Sequence, residues 1–282
     1  MLNSPENFNI LGLTICYGNT PVEIGYRLAK KYLKIAKKQD IPVVKGAKNR
    51  YQLGKENIAS RFIIEQINEH PNDITLFILA PQTNIATAFI RDPDLQDKVS
   101  ELVIMGGLFR APILKFSPLT RFFDERFYDK IKFNSLVSEF NIVNDPISAS
   151  IVLNKDIKTT MFPLNVTSKL TITKKQLVKI RERNSNITNF CYRNLILWNA
   201  INKVITLKGF YPHDVLVPIF KINPKIFTIK SLPIRIDTQK IRGKIQILDK
   251  EKDTIKNKNI KNICVNLSRT LFLECFMERI LR

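Results

Sequence analysis

The chain has 282 residues, with 45 Lys+Arg against 25 Asp+Glu for a formal charge of +20, and its 44% hydrophobic content is that of a folded protein. No apolar run approaches the ~18 residues of a membrane span, and Met1–Leu13 lacks the basic start and apolar stretch of a secretory leader. Cys16, Cys191, Cys264 and Cys275 form no CxxC pair, which argues against a zinc ribbon or disulfide framework and leads us to expect a cytoplasmic location.

Phe8–Ile15 (FNILGLTI) reads as a strand ending in the turn Cys16-Tyr17-Gly18-Asn19. Over Val22–Lys38, Val22, Leu28, Ala29, Tyr32 and Ala36 recur near one helical face, with the lysines mostly elsewhere, so a helix is predicted. Ile41–Val44 is a short strand closed by Gly46, Ala59–Glu69 a helix, and Ile74–Leu79 an apolar strand. Thr83–Ile90 starts another helix, and Leu102–Met105 is a strand ending in Gly106-Gly107. Residues 110–133 break the rhythm: Phe116, Phe122, Phe123, Phe127 and Phe133 stand among Arg, Lys and Asp, as in an inserted loop or flap.

Thr159–Pro163 adds a strand, and Thr171–Arg183 and Thr188–Val204 read as helices. Leu232–Ile236 and Lys244–Leu248 are strand-like, the Lys/Asn-rich Lys250–Lys261 a loop, and Ile263–Leu281 a closing strand and helix. The alternation predicts an α/β fold with an open, mostly parallel, doubly wound sheet, forming one domain over residues 1–282.

Gly18-Asn19, Thr83-Asn84 and Gly106-Gly107 all fall just past the carboxyl end of a strand, the edge where open α/β sheets bind ligands. Any one of them alone is explained as a turn former, and several at one sheet edge weaken that explanation without removing it. Three further groups carry polar chemistry: Ser138-Glu139-Phe140-Asn141 with Asn144-Asp145-Pro146, Asn165-Val166-Thr167, and Tyr211-Pro212-His213-Asp214. A His-Asp pair before a helix can be structural, its Asp serving as a cap. The other histidine, His70, reads as a solvated residue at a helix end.

Taken in order, these segments resemble the inosine–uridine-type nucleoside hydrolases. LGLTICYGNT is similar to the family's strand-and-Asn segment, IPVVKGA to its next strand and Gly-Ala turn, and APQTN to its Gly-Pro-Leu-Thr-Asn. LVIMGGLF resembles its Met-Gly-Gly strand end and SEFNIVNDPISA its Ala-Glu-Phe-Asn…Asp-Pro run. MFPLNVTSKLTIT, PHDVLVPIFKINP and LPIRIDTQKIRG resemble the later strand and turn, the His-Asp element and a strand ending in Arg-Gly. The resemblance implies hydrolysis of a nucleoside N-glycosidic bond to ribose and free base, assisted by Ca²⁺. By matching position, Thr83 (through its carbonyl) and Asp214 would be metal ligands. Asn19, Glu139 and Asn141 would hold the ribose, with Met105 packed against it. Asn134 would match a further ribose-binding Asn, and His213 would be the acid near the base. The family also tends to form homo-oligomers.

The family's opening strand ends in Asp-x-Asp-x-x-x-Asp-Asp, which supplies most calcium ligands and the base that activates water; the 282 residues contain no such motif. Leu2–Pro5 corresponds to the end of the family's first helix, so the first strand and helix are expected to be missing. That strand would be central, and two neighbouring strand edges would then pair with each other or stay open. A base-facing His-Gly loop is reduced to Lys48–Ile58. We therefore expect an inactive or weakly active relative, an aspartate cluster encoded upstream of Met1, or a protein that binds ribose without metal. The charge suggests nucleic acid as a rival partner. However, Lys30–Lys38, Lys174–Arg183 and Lys250–Lys261 lie apart without a recognition motif, as solvated lysine faces do.

Overall fold

The computed structural model describes residues 1–109, 138–202, 210–249 and 259–282. The expected insertion at 110–133, Asn134 and residues 250–258 of the Lys/Asn-rich loop lie outside them.

Strand β1 (Leu13–Ile15) leads into helix α1 (Val22–Ile35), whose Glu23 in the first turn and Lys34 in the last complement the helix dipole. Strand β2 (Val43–Lys45) follows, then α2 (Ile58–Glu69), which starts from a reciprocal Asn57–Ser60 capping box. Next come β3 (Thr75–Ile78), α3 (Thr83–Arg91) and β4 (Glu101–Met105). Beyond them lie α4 (Phe140–Asn144), α5 (Pro146–Leu153), β5 (Thr159–Phe162), α6 (Leu164–Thr167), α7 (Lys174–Glu182) and α8 (Asn186–Asn202). The chain closes with α9 (Leu216–Ile222), β6 (Phe227–Asp237), β7 (Lys244–Ile247), β8 (Ile260–Leu267) and α10 (Arg269–Leu281).

The strands form two sheets. Six run in the order β3-β4-β5-β8-β6-β7, parallel from β3 to β8 and antiparallel at β6 and β7. Among the described residues strands β1 and β2 pair only with each other, in parallel, with Leu13 opposite Val43. The architecture is the mostly parallel α/β one expected, with the break falling between β1 and β3. The expected strand over Phe8–Ile15 shortens to three residues because only the stretch facing β2 finds a ladder; Phe8 instead packs edge-on against Phe77 of β3 at 5.9 Å. Strand β6 is longer than the Leu232–Ile236 run because it changes partner, pairing with β8 up to Pro233 and with β7 from Ile234. Proline, which lacks a ladder donor, is tolerated at such a change.

The two sheets are tied by Asn84, at the start of α3. Its Oδ1 accepts from the Ala47 amide at 2.7 Å, and its Nδ2 donates to the Ile15 carbonyl at 3.4 Å. Gly46 is required here, because a Cβ would lie 2.3 Å from that side-chain amide. The core centres on β4 and β5, both buried at every residue. Against them Phe162, Phe220 and Phe227 form an edge-to-face cluster with ring centroids 5.3–5.9 Å apart, each such pair adding about 0.5–1.5 kcal/mol beyond burial. The one acid in β4, Glu101, is buried at the strand's amino end and paired with Lys221 at 2.7 Å.

Candidate functional site

The turns after β1, β3 and β4 and the starts of α4 and α5 converge at the carboxyl edge of the strands. Gly18 lies 3.5 Å from Pro81 and 4.0 Å from Phe140 when a Cβ is placed on it, so the Asn19 turn runs beside Glu139; Asn19 itself is exposed. Thr83 donates its hydroxyl to Asp145 at 2.6 Å, and Asp145 also receives the Ser148 amide as the N-cap of α5. The Tyr17 hydroxyl lies 3.4 Å from Thr83 Oγ1, which ties the β1 turn to the same group. Burial pushes the neighbouring Cys16 thiol up to about 12, leaving it protonated and unreactive at neutral pH.

Glu139 is almost wholly buried. Its carboxylate caps α4 by accepting from the Asn141 and Ile142 amides, at 2.8 and 3.2 Å, and accepts from the Gly107 amide at 3.3 Å. Gly107 presents that amide from a left-handed conformation (φ +96°), and a Cβ there would meet Ile245 at 2.7 Å. Burial raises the Glu139 carboxyl to about 7 against the opposing effect of these three donors, and the nearby Asp214 charge raises it further. Asn141 donates Nδ2 to the Met105 carbonyl at 3.1 Å, which leaves Oδ1 as the amide atom it can offer a ligand. Met105 is buried beneath it.

His213 and Asp214 enter on a short 3-10 turn, His213–Val215. The imidazole Nδ1 lies 2.7 Å from Thr167 Oγ1, and the ring stacks on Tyr211 at 5.7 Å with 19° between planes. Burial lowers the imidazole to about 4, so it is neutral at physiological pH. Asp214 is open to solvent yet surrounded by enough protein that its carboxyl rises to about 6. The Gly107 peptide links the two elements: its amide serves Glu139 at 3.3 Å, and its carbonyl accepts at 2.9 Å from Leu164 on α6, the helix that carries Thr167.

Of the residues expected from sequence, Asn19, Thr83, Met105, Glu139, Asn141, His213 and Asp214 lie along this edge, and Asn134 is outside the described residues. The family model for inosine-uridine preferring nucleoside hydrolases matches residues 1–274. The chain belongs to that family. It is 26% identical over 270 residues to uridine nucleosidase 1 of Arabidopsis thaliana, covering 84% of this chain and 73% of that protein. Its fold matches a plant nucleoside hydrolase with a TM-score of 0.82 at 22% identity, over 99% of this chain and 92% of the other. It also matches a purine-preferring ribonucleoside hydrolase from Gardnerella vaginalis, with a TM-score of 0.80 at 22% identity over 99% and 92%.

Within this nucleoside hydrolase fold, the donor set can be compared with the needs of Ca²⁺, which takes about six to eight oxygen ligands. Glu139 has its carboxylate committed to three amides, and the Thr83 hydroxyl is committed to Asp145. The expected ligands are two, the Thr83 carbonyl and Asp214, and among the described residues no three His, Cys, Asp or Glu side chains come together to add to them. These residues do not fit a hard divalent ion. Sequence reasoning missed Tyr17, Asp145 and Thr167 as members of the site. Asp145 and Thr167 stood in noted motifs, but their partners lie 62 and 46 residues away in sequence.

Proposed function

We propose that this nucleoside hydrolase family member binds the ribose of a nucleoside at the carboxyl edge, and that the chain as given hydrolyses the N-glycosidic bond weakly or not at all. What supports this reading is that Met105, Glu139, Asn141, His213 and Asp214 stand along one edge where, among the described residues, no three His, Cys, Asp or Glu side chains come together. Asn141 Oδ1 and the exposed Asn19 are suited to sugar hydroxyls, and Met105 to the ring face. Asn134 would add a further ribose contact, by the resemblance alone.

Cleavage requires an activated water, a stabilised oxocarbenium ion and a proton or hydrogen bond for the departing base. A half-buried neutral imidazole can supply the last, and one isolated carboxylate is poorly equipped for the first two. Calcium, which the resemblance implies, would serve those two needs in a complete ligand set, and Thr83 with Asp214 does not make up such a set. We further read the protein as cytoplasmic and homo-oligomeric in keeping with the resemblance; sedimentation tests the latter.

Uridine and inosine are the natural probes, given the relatives' names. Calorimetric titration should detect binding of a nucleoside, and assays for free base should match a buffer blank with or without added Ca²⁺. Turnover above the blank that Asp214→Ala abolishes would overturn the inactive reading. Failure of uridine, inosine and D-ribose alike to bind would overturn the pocket.

A further inference from the structure

The segment that follows β5 grips the His-Asp element at three successive points. Ile172 and Phe210 exchange backbone hydrogen bonds of 2.7 and 3.2 Å. Thr171 and Tyr211, the next residue of each segment, flank that exchange, and Tyr211 stacks on His213. Thr167, on α6, reaches the His213 ring at Nδ1.

That last contact has a direction. Thr167 is fully buried, and its Oγ1 has no other hydrogen-bond partner among the described residues. A buried hydroxyl that donated to nothing would lose its hydration without replacement, and among the described residues its proton has one place to go. At pH 8, well above the ordinary imidazole pKa of about 6.5, a histidine ring holds one N–H and one lone pair, and the lone pair must then sit at Nδ1. Tyr211 stacking restrains the ring against turning over.

We propose that Thr167 is a positioning residue for His213: its hydroxyl donates to Nδ1, so that the ring carries its proton on Nε2 and offers a ligand an N–H donor. The group it would meet is a hydrogen-bond acceptor, such as a carbonyl oxygen or an unprotonated ring nitrogen. This consequence for a ligand rests on the nucleoside reading; the tautomer does not.

The test is read on the full chain without ligand. Uniformly ¹⁵N-labelled protein at pH 8 is studied by long-range ¹H–¹⁵N correlation, with N-acetylhistidine in the same buffer as the reference for a freely exchanging imidazole. His213 should show one tautomer, with Nδ1 unprotonated and Nε2 protonated. Thr167→Val should move its nitrogen shifts toward the averaged values of the free reference, and Thr167→Ser should keep the wild-type pattern. If the valine variant does not fold, Thr167→Ala takes its place. A wild-type ring protonated at Nδ1, or shifts unmoved by loss of the hydroxyl, would overturn the proposal. A correct tautomer in a chain that binds no nucleoside would overturn the pocket and leave the positioning role intact.

Discussion

Strand β4 and strand β1 are built alike, as short apolar runs that lead to a turn at the ligand edge, and they are buried very differently. All five residues of β4 are inaccessible, whereas every residue of β1 and β2 is half-buried. Strand β4 has β3 on one side and β5 on the other. Strand β1 has β2 alone: Leu13 donates to Pro42 and Ile15 accepts from Gly46, so the intervening Thr14 turns its peptide groups to the second edge. Among the described residues no strand meets that edge. A parallel strand draws its burial from two neighbours, and where one is missing, its apolar side chains cannot complete the core however suitable the sequence. The site straddles this difference. Met105, Glu139 and Asn141 stand on the solid half, while Tyr17 and Asn19 stand on the half held by Asn84.

The comparison can be broken first in the six-stranded half. Phe162→Ala removes the centre of the aromatic cluster and should cost about 3–5 kcal/mol, read from the urea midpoint. A loss below that of Leu13→Ala would reverse our ranking of the two halves.

Next in size is the pH dependence of Glu139. Its carboxyl is raised from 4.5 to about 7 in the folded state, so stability is fullest near and below pH 4.5 and falls as pH rises through 7. The whole fall amounts to on the order of 3 kcal/mol. Measured at pH 5 and at pH 8, the stability difference between wild type and Glu139→Gln should move in favour of the variant. An unchanged difference would show that ionising this buried acid carries no cost.

The tie between the halves is tested by Asn84→Ala, which strands the buried Ala47 amide and should cost about 1–3 kcal/mol. Hydrogen exchange should quicken at Ala47 and across β1 and β2 while β4 keeps its protection. Equal quickening in β4 would mean that the two sheets open as one unit. The smallest effect is expected from Leu13→Ala, about 1 kcal/mol by chemical denaturation, because its side chain is already half in water.

Much of the fold was legible because apolar runs and helical periodicity are local. Leu102–Met105 emerged as β4 with one residue added, and Val22–Lys38 as α1 with its last turn lost. The extent of β1 was not legible: FNILGLTI is uniformly apolar, and only the position of β2 decides which three residues join a ladder. Nor was β6, where Lys230 and Ser231 hide a strand that Asn262 and Ile263 of β8 complete. At the site, Glu139 and Asn141 were legible as a motif through the resemblance. Their geometry was not: the sequence cannot show that Glu139 is consumed by the Gly107 amide, 32 residues away.

The residue order alone determined membership of the nucleoside hydrolase family and the α/β alternation, and it showed the absence of an Asp-x-Asp-x-x-x-Asp-Asp motif from the 282 residues. Each is a property of pattern along the chain and needs no knowledge of what touches what. Tertiary structure decided the split between β1 and β3, the commitment of the Glu139 carboxylate and the seating of His213 on Thr167. Hydrogen-bond partners and burial are pairwise quantities, and the pairs that matter lie tens of residues apart. The excess of lysine belongs to the first kind of knowledge: its size is plain from composition, yet even a lysine's setting is decided by contacts, as Lys261 shows. That side chain is buried with its ammonium on the Lys155 carbonyl at 2.8 Å, and burial lowers it to about 8.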